Sequence, residues 1–156
     1  MRLMLASCTP EVAAERYTSI YTLVDNEGAR ENVNELVFLC HTISVESGWW
    51  HSMAGEPLEL NFGERIALIH SELSEALEGG RKDLESDHIE GFSAVEEELA
   101  DALIRLFDTA GAYYMDRKGE EVNIRLGAAF VAKLAYNRKR ADHKPEVRAA
   151  EGGKEF

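Results

Sequence analysis

Four acidic residues, arranged as two pairs, carry the clearest chemical signal in this chain. Each pair places two carboxylates three positions apart, as Glu72-x-x-Glu75 and Glu98-x-x-Asp101. On an α-helix such positions lie roughly 60° apart around the axis, so both carboxylates of a pair point the same way. Carboxylate oxygens are the ligands that hard divalent cations prefer, and Mg²⁺ is usually held by a few of them together with substrate phosphates. The spacing therefore predicts a divalent-metal site.

The segments that must position these pairs read as amphipathic helices. In both segments the acids flank an apolar stripe on the same side, so antiparallel packing through the stripes would bring four carboxylates to one groove. Their mutual repulsion would require a cation there. The alternative is that they are ordinary surface acids in an acidic chain. Two further acids, Glu97 and Asp108, fall near the same face and are reserve candidates for a second metal. The stripe residues are Phe62, Ile66, Ile69, Leu73, Ala76 and Leu77 in one segment and Val95, Leu99, Ala102, Leu103, Leu106 and Ala110 in the other.

Composition limits the class of protein. Of the 156 residues, 45% are hydrophobic and 29% are charged, which is ordinary for one globular domain. Acids outnumber bases 29 to 17, for a net charge of −12. This excess disfavours nucleic acid or an anionic membrane as a partner, and a polyanionic small substrate would need a metal. The two cysteines form no metal-ligand spacing, and no signal peptide or membrane span is evident, so the expected location is the cytoplasm.

Capping and breaking residues predict helices and almost nothing else. Asn61-x-x-Glu64 and Ser93-x-x-Glu96 have the form of capping boxes, and Gly79-Gly80 is expected to end the helix that follows the first box. The pattern predicts an all-α antiparallel bundle of about five helices in a single domain, residues 1–143, followed by a polar tail, residues 144–156. The predicted helices span about residues 10–24, 32–47, 62–78, 94–117 and 120–141.

The two acid pairs on consecutive helices, preceded by a Trp-containing loop and followed by a basic helix, resemble the all-α nucleoside triphosphate pyrophosphohydrolases. This superfamily includes MazG, the dimeric dUTPases, the dCTP pyrophosphatases and phosphoribosyl-ATP pyrophosphohydrolase, and MazG-like proteins are the most similar. The resemblance covers about residues 32–143. It implies that Glu72, Glu75, Glu98 and Asp101 hold Mg²⁺, or Mn²⁺ in its place, against the phosphates of a substrate. It also implies that Glu72 or Glu75 is a catalytic general base.

The fifth predicted helix offers a complement for phosphate. Lys133, Asn137 and Arg140 recur at i, i+4 and i+7, so they share a helical face with two cations and an amide in line. A solvated helix face is the alternative interpretation. Because members of the superfamily similarly carry Lys, Asn and Arg on the helix after the second acid pair, the resemblance implies that these three residues bind phosphate.

Candidates for binding the base precede the acidic segments. Trp49 and Trp50 sit in a loop where an indole ring could stack on a nucleobase, and adjacent side chains face different ways, so one of them is expected to pack structurally. Asn61 could read the edge of a base, as could His41 and His51. Packing or capping is the alternative for each.

The resemblance implies hydrolysis between the α- and β-phosphates of a nucleoside triphosphate, releasing the monophosphate and pyrophosphate. It also implies a homodimer or a dimer of dimers. A non-catalytic acidic helical module, acting in protein interactions or as a nucleotide sensor, is the alternative. A di-iron carboxylate bundle is disfavoured because it needs Glu-x-x-His on two helices, and Glu85-x-x-His88 is the single match.

Overall fold

The computed structural model describes residues 27–115 and 125–140. The all-α prediction is confirmed within these ranges, which contain four helices, no strand and two isolated bridges between loop residues. None of these helices is long and apolar enough to cross a membrane. The helix predicted at residues 10–24 and the start of the tail at residue 144 lie outside the described ranges. The four helices are α1 (Glu27–Glu46), α2 (Phe62–Lys82), α3 (Ala94–Met115) and α4 (Leu126–Lys139).

The described residues belong to two compact units. Residues 34–115 lie in one unit, which contains most of α1 and all of α2 and α3, whereas residues 27–33 and 125–140 lie in the other. The acidic candidates are in the first unit. The candidate phosphate-binding residues of α4 are in the second.

Capping side chains set the starts of α2 and α3, as the sequence predicts. The side chain of Asn61 accepts a hydrogen bond of 3.3 Å from the backbone N–H of Glu64 at the start of α2. At the start of α3 the capping is reciprocal. The Ser93 hydroxyl accepts from the backbone N–H of Glu96 at 3.3 Å, while the Glu96 carboxylate accepts from the Ser93 backbone N–H at 2.9 Å. These bonds satisfy donors that a helix start otherwise leaves unpaired.

The prediction that Gly79-Gly80 ends α2 is wrong. The helix continues to Lys82 and ends at Asp83, whose backbone is left-handed with φ 54°. The glycine serves close packing instead, because a Cβ at Gly79 would lie 2.9 Å from the Cβ of Ala94. A glycine inside a helix costs roughly 1 kcal/mol relative to alanine. Here it permits the end of α2 to contact the start of α3.

Helices α2 and α3 form an antiparallel hairpin. The contact of Gly79 with Ala94 joins the end of α2 to the start of α3, and the rings of Phe62 and Tyr113 lie 6.0 Å apart at the opposite end. Between these ends, Arg105 pairs with Glu72. Residues near the end of α2 therefore contact residues near the start of α3, and the start of α2 contacts the end of α3.

The buried face of this hairpin differs from the predicted stripe. Part of the stripe is buried, namely Ile69 and Ala76 in α2 and Ala102 in α3, and Glu72 is buried with them. The leucines expected in the interface are exposed, because the small residues allow the helices to approach and turn the larger ones outward. The exposed fractions are 46% for Leu73, 64% for Leu77, 45% for Leu99, 52% for Leu103 and 39% for Leu106.

Helices α1 and α4 begin at other residues than the sequence predicts. Helix α1 already includes Glu27, five residues before the predicted start at Asn32, and it meets α3 where a Cβ at Gly111 would lie 2.5 Å from the Cβ of His41. Helix α4 begins at Leu126 and includes Gly127.

Candidate metal centre

Three of the four predicted ligands come together on the α2–α3 hairpin. Glu72, Glu98 and Asp101 each offer a carboxylate oxygen, and these oxygens all lie within 4.8 Å of one another. Opposite oxygens around Mg²⁺ are about 4.2 Å apart, from a metal–oxygen distance of about 2.1 Å, and the spacing is about 4.8 Å around Ca²⁺. The three acids therefore fit a hard divalent cation. Glu72 is buried, Glu98 is half-buried and Asp101 is exposed, so the cluster opens towards solvent.

Among the described residues, Arg105 is the cation that pairs with the three acids of the cluster. Glu72 pairs with Arg105, whose Nε lies 2.6 Å from Glu72 Oε1. Burial raises the pKa of Glu98, and the charge of Glu75 together with a hydrogen bond to Glu72 raises it further. Two carboxyl groups can share a hydrogen bond only when one of them holds a proton, so the pair favours protonation over a second close negative charge. A metal ion would replace that proton.

Glu75, the fourth predicted ligand, lies at the edge of the cluster. Its side chain is exposed and accepts a hydrogen bond of 3.2 Å from the Ser71 hydroxyl. Its oxygens are outside the group that converges within 4.8 Å, yet its charge is near enough to raise the pKa of Glu98. Glu75 therefore borders the site on the α2 side, and its role as a ligand or base stays a prediction.

Asp108, a reserve candidate for a second metal, is occupied by protein donors. Its Oδ1 lies 2.8 Å from His41 Nδ1 and accepts a hydrogen bond of 2.9 Å from Trp50 Nε1. Arg65 Nη1 lies 3.9 Å from its other oxygen. Asp108, His41 and Trp50 are all buried. This Asp108 cluster ties α1 and the Trp-containing loop to the hairpin, and it has the character of a structural site.

Glu97, the other reserve candidate, also has protein partners. Hydrogen bonding to Ser86, with a further bond to His88, lowers the pKa of Glu97. His88 Nδ1 lies 2.6 Å from Glu97 Oε1. Glu97 therefore fastens the loop between α2 and α3 to the first turn of α3.

A cavity of about 560 Å³ adjoins the acids. It shares Asp101 and Arg105 with the acidic site, and Arg65 lines it as well. Two arginines therefore line the space beside the acids, and a guanidinium can bind an anion through paired hydrogen bonds. The cavity is lined by Ser44, Trp49, Leu58, Glu64, Arg65, Leu68, Asp101, Ile104, Arg105, Asp108 and Thr109.

The two tryptophans separate as the sequence predicts, one structural and one exposed. Trp50 is 7% exposed, donates to Asp108 and lies under the guanidinium of Arg65 at 4.2 Å. Trp49 is 69% exposed and lines the cavity, so it is the indole that could stack on a base. Asn61 caps α2, and His41 packs against Trp50 with ring centroids 5.4 Å apart. The structure thus gives Trp50, Asn61 and His41 local structural contacts, and their contact with a base stays untested.

The predicted phosphate-binding residues lie in the other unit, on α4 and at its C-cap. Lys133 Nζ lies 4.7 Å from the centre of the Tyr136 ring, within the same helix. Arg140 is the C-cap of α4 with an extended backbone, so the i+7 spacing from Lys133 crosses the end of the helix. The side-chain oxygen of Asn137 is buried without a hydrogen-bond partner. The role of these residues stays a prediction from the resemblance.

Sequence reasoning missed the two arginines of the cavity. Arg105 follows Asp101 at i+4, and this spacing alone places a cation on the same helical face as the acids. Arg65 sits in the first turn of α2, and its proximity to Trp50 depends on the path of the preceding loop, for which the sequence has no clear signal.

No protein-family model matches the chain, and no match was found among curated proteins or solved structures. The resemblance to the all-α pyrophosphohydrolases therefore remains an interpretation of the motif, and the site geometry carries the functional argument.

Proposed function

We propose that the chain is a magnesium-dependent nucleoside triphosphate pyrophosphohydrolase, which cleaves between the α- and β-phosphates to release a monophosphate and pyrophosphate. The observation that carries this proposal is the convergence of Glu72, Glu98 and Asp101 beside a cavity that two arginines line. Acids without a metal ion would repel a triphosphate, and a site that bound phosphate through arginines alone would have no use for three acids beside it. Together they fit a triphosphate bound with its metal.

The three acids would hold Mg²⁺, or Mn²⁺ in its place, and the bound ion would neutralise phosphate charge and make a water molecule more acidic. The chain's own groups would divide the remaining work. Arg65 would present a fixed guanidinium to the anion, because Trp50 and Asp108 already hold it in place. Glu75 is exposed at the edge of the cluster and is the candidate general base for the attacking water. Trp49 would stack on the base from the cavity wall.

The exposed leucines of the hairpin support the proposal that the chain pairs with a second copy. Leu73 and Leu77 on α2 and Leu99 and Leu103 on α3 are each 45% exposed or more. Scattered exposed apolar residues are normal, but large ones repeated on two neighbouring helices are typical of an interface. A homodimer, or a dimer of dimers, would bury them.

The test is a screen of canonical and modified nucleoside triphosphates with Mg²⁺, in which monophosphate and pyrophosphate are quantified separately. We expect equal amounts of the two products with at least one substrate. We also expect turnover to fall by at least about 100-fold in Glu72→Gln, because a metal ligand is lost. The matched control is Glu78→Gln on the same helix, since Glu78 pairs with Lys82 on the surface. Tight nucleotide binding without pyrophosphate release would instead favour a nucleotide sensor.

A further inference from the structure

Arg105 belongs both to the acidic cluster and to the cavity beside it. Its Nε lies 2.6 Å from Glu72 Oε1, and its side chain also lines the cavity. It follows Asp101 by one helical turn on α3. Arg105 therefore lies between the acid cluster, which fits a cation, and the cavity, which would hold the anion.

The two arginines of the cavity are held very differently. The side chain of Arg65 is 22% exposed and is fixed by the Trp50 ring and the Asp108 carboxylate. The side chain of Arg105 is 42% exposed, and Glu72 is the partner that orients it. A long, half-exposed side chain can change rotamer at low cost once its partner is taken away. Once a metal ion takes up Glu72, Arg105 therefore has more freedom to change rotamer than Arg65 has.

We infer that Arg105 is a displaceable counter-ion: it neutralises Glu72 while the acids hold no metal, and it turns into the cavity to bind phosphate oxygens when they do. This inference rests on the proposed function. The physical reason is that a divalent cation among Glu72, Glu98 and Asp101 would repel a guanidinium only a few ångströms away. The same metal would bring phosphate into the cavity, and a guanidinium binds phosphate through paired hydrogen bonds.

Such an exchange couples the two binding events. Arg105 competes with the metal for Glu72 and so weakens metal binding in the absence of phosphate. Once displaced it strengthens phosphate binding, and by linkage phosphate then strengthens metal binding by the same factor. The free acids are thereby kept partly neutralised until metal and substrate are both present.

The experiment compares wild type with Arg105→Gln, which removes the charge, and Arg105→Lys, which keeps it. Calorimetric titration with Mg²⁺ alone should show Arg105→Gln binding about 3- to 10-fold more tightly than wild type, because the competitor is gone. Titration with tripolyphosphate at saturating Mg²⁺ should show it binding about tenfold more weakly. Arg105→Lys should keep an Mg²⁺ affinity near that of wild type. Lys82→Gln, which removes a cation from the exposed Glu78 pair on the same hairpin, should change neither affinity.

Unchanged or weaker Mg²⁺ binding by Arg105→Gln would overturn the inference, since it would show that the arginine orients Glu72 beside the metal rather than competing with it. Unchanged tripolyphosphate binding would overturn it as well. Wild-type nucleotide turnover, measured on the same preparation, reports on the proposed function separately. If wild type shows no turnover, but Arg105→Gln binds Mg²⁺ more tightly and tripolyphosphate more weakly, then hydrolysis is rejected and the exchange is supported.

Discussion

Two carboxylate sites lie on the same helical hairpin and are neutralised in opposite ways. Asp108 receives a hydrogen bond from Trp50, lies 2.8 Å from a nitrogen of His41, and has Arg65 at 3.9 Å. The cluster of Glu72, Glu98 and Asp101 combines three acids with one close guanidinium, that of Arg105. Among the described residues, one carboxylate thus has three partners, whereas the three carboxylates of the cluster share one guanidinium.

The difference shows how to separate structural acids from candidate metal ligands. Asp101 and Asp108 are two turns apart on one face of α3, so their positions in the sequence are equivalent. Their partners come from other elements, and those partners decide the role. A buried acid whose oxygens are occupied holds the fold together, while acids that repel one another without sufficient donors are set up for a cation.

The largest effect should come from Trp50, which belongs to the Asp108 cluster. Trp50→Ala removes a buried ring and a hydrogen bond to Asp108, so the free energy of unfolding should fall by about 3–5 kcal/mol in urea denaturation. Trp49→Ala is the matched variant next to it. Because Trp49 is exposed, it should stay within about 0.5 kcal/mol of wild type and instead change the ranking of nucleobases in the substrate screen. Equal destabilisation by the two variants would remove the distinction between these rings.

A second comparison applies one substitution to both acids of α3. Asp108→Asn presents an amide to groups that now face a carboxylate, so we expect a loss of about 3 kcal/mol in the free energy of unfolding. Asp101→Asn, in the exposed part of the acid cluster, should leave metal-free stability unchanged or raise it. A loss of the same size in both variants would mean that Asp101 also has a structural role.

Neutralising Glu98 should stabilise the metal-free protein. Its raised pKa means that ionisation above that pKa costs folded-state stability, because the unfolded chain gives up its proton at lower pH. Glu98→Gln should therefore raise the melting temperature at pH 7 by a few degrees, and the gain should disappear below about pH 4. Added Mg²⁺ should stabilise wild type by about 2.7 kcal/mol at 100 times its dissociation constant, but not this variant. A lower melting temperature for Glu98→Gln would contradict the repulsion argument.

The smallest effect concerns the His88–Glu97 pair, in which an acid next to Glu98 in sequence is neutralised by a protein group. A hydrogen bond to Glu97 and the charge of that carboxylate raise the pKa of His88. The resulting stabilisation should be complete below about pH 6.5 and disappear as pH rises through the raised pKa of the folded state. It should also disappear in acid, where Glu97 takes up a proton. The melting temperature of His88→Ala should thus fall below that of wild type near pH 5.5 and match it near pH 9, while a constant difference would exclude this titration.

Local rules made much of this unit predictable. The capping signals at Asn61 and Ser93 act over three residues: the reciprocal box is confirmed at Ser93, and at Asn61 the N-cap bond to the backbone N–H of Glu64 is confirmed. The convergence of Glu72, Glu98 and Asp101 follows from helical spacing once two consecutive helices are antiparallel. These features need only neighbours in the sequence or one short connection.

The predictions that were wrong concern how closely the helices approach one another. A glycine pair such as Gly79-Gly80 is typical of a helix end, but here Gly79 allows close contact with Ala94 on the next helix. Of the predicted stripe, Ile69, Ala76 and Ala102 are buried as expected, whereas its leucines are exposed. Propensity and periodicity describe one helix at a time, so the rotation of a helix about its axis on its neighbour remains open.

The loop between α2 and α3 has a kinetic consequence. It spans residues 83–93, and it is braced by the Glu85–Ser93 bridge and by the hydrogen bond between His88 Nδ1 and the Glu97 carboxylate. Closing so short a connection costs little chain entropy, so contacts across the hairpin should be among the earliest that the chain makes during folding. Glu72, Glu98 and Asp101 are therefore expected to meet before α1 docks through His41. Stopped-flow refolding should then be faster with Mg²⁺ present, since the ion can stabilise the transition state as well as the folded protein.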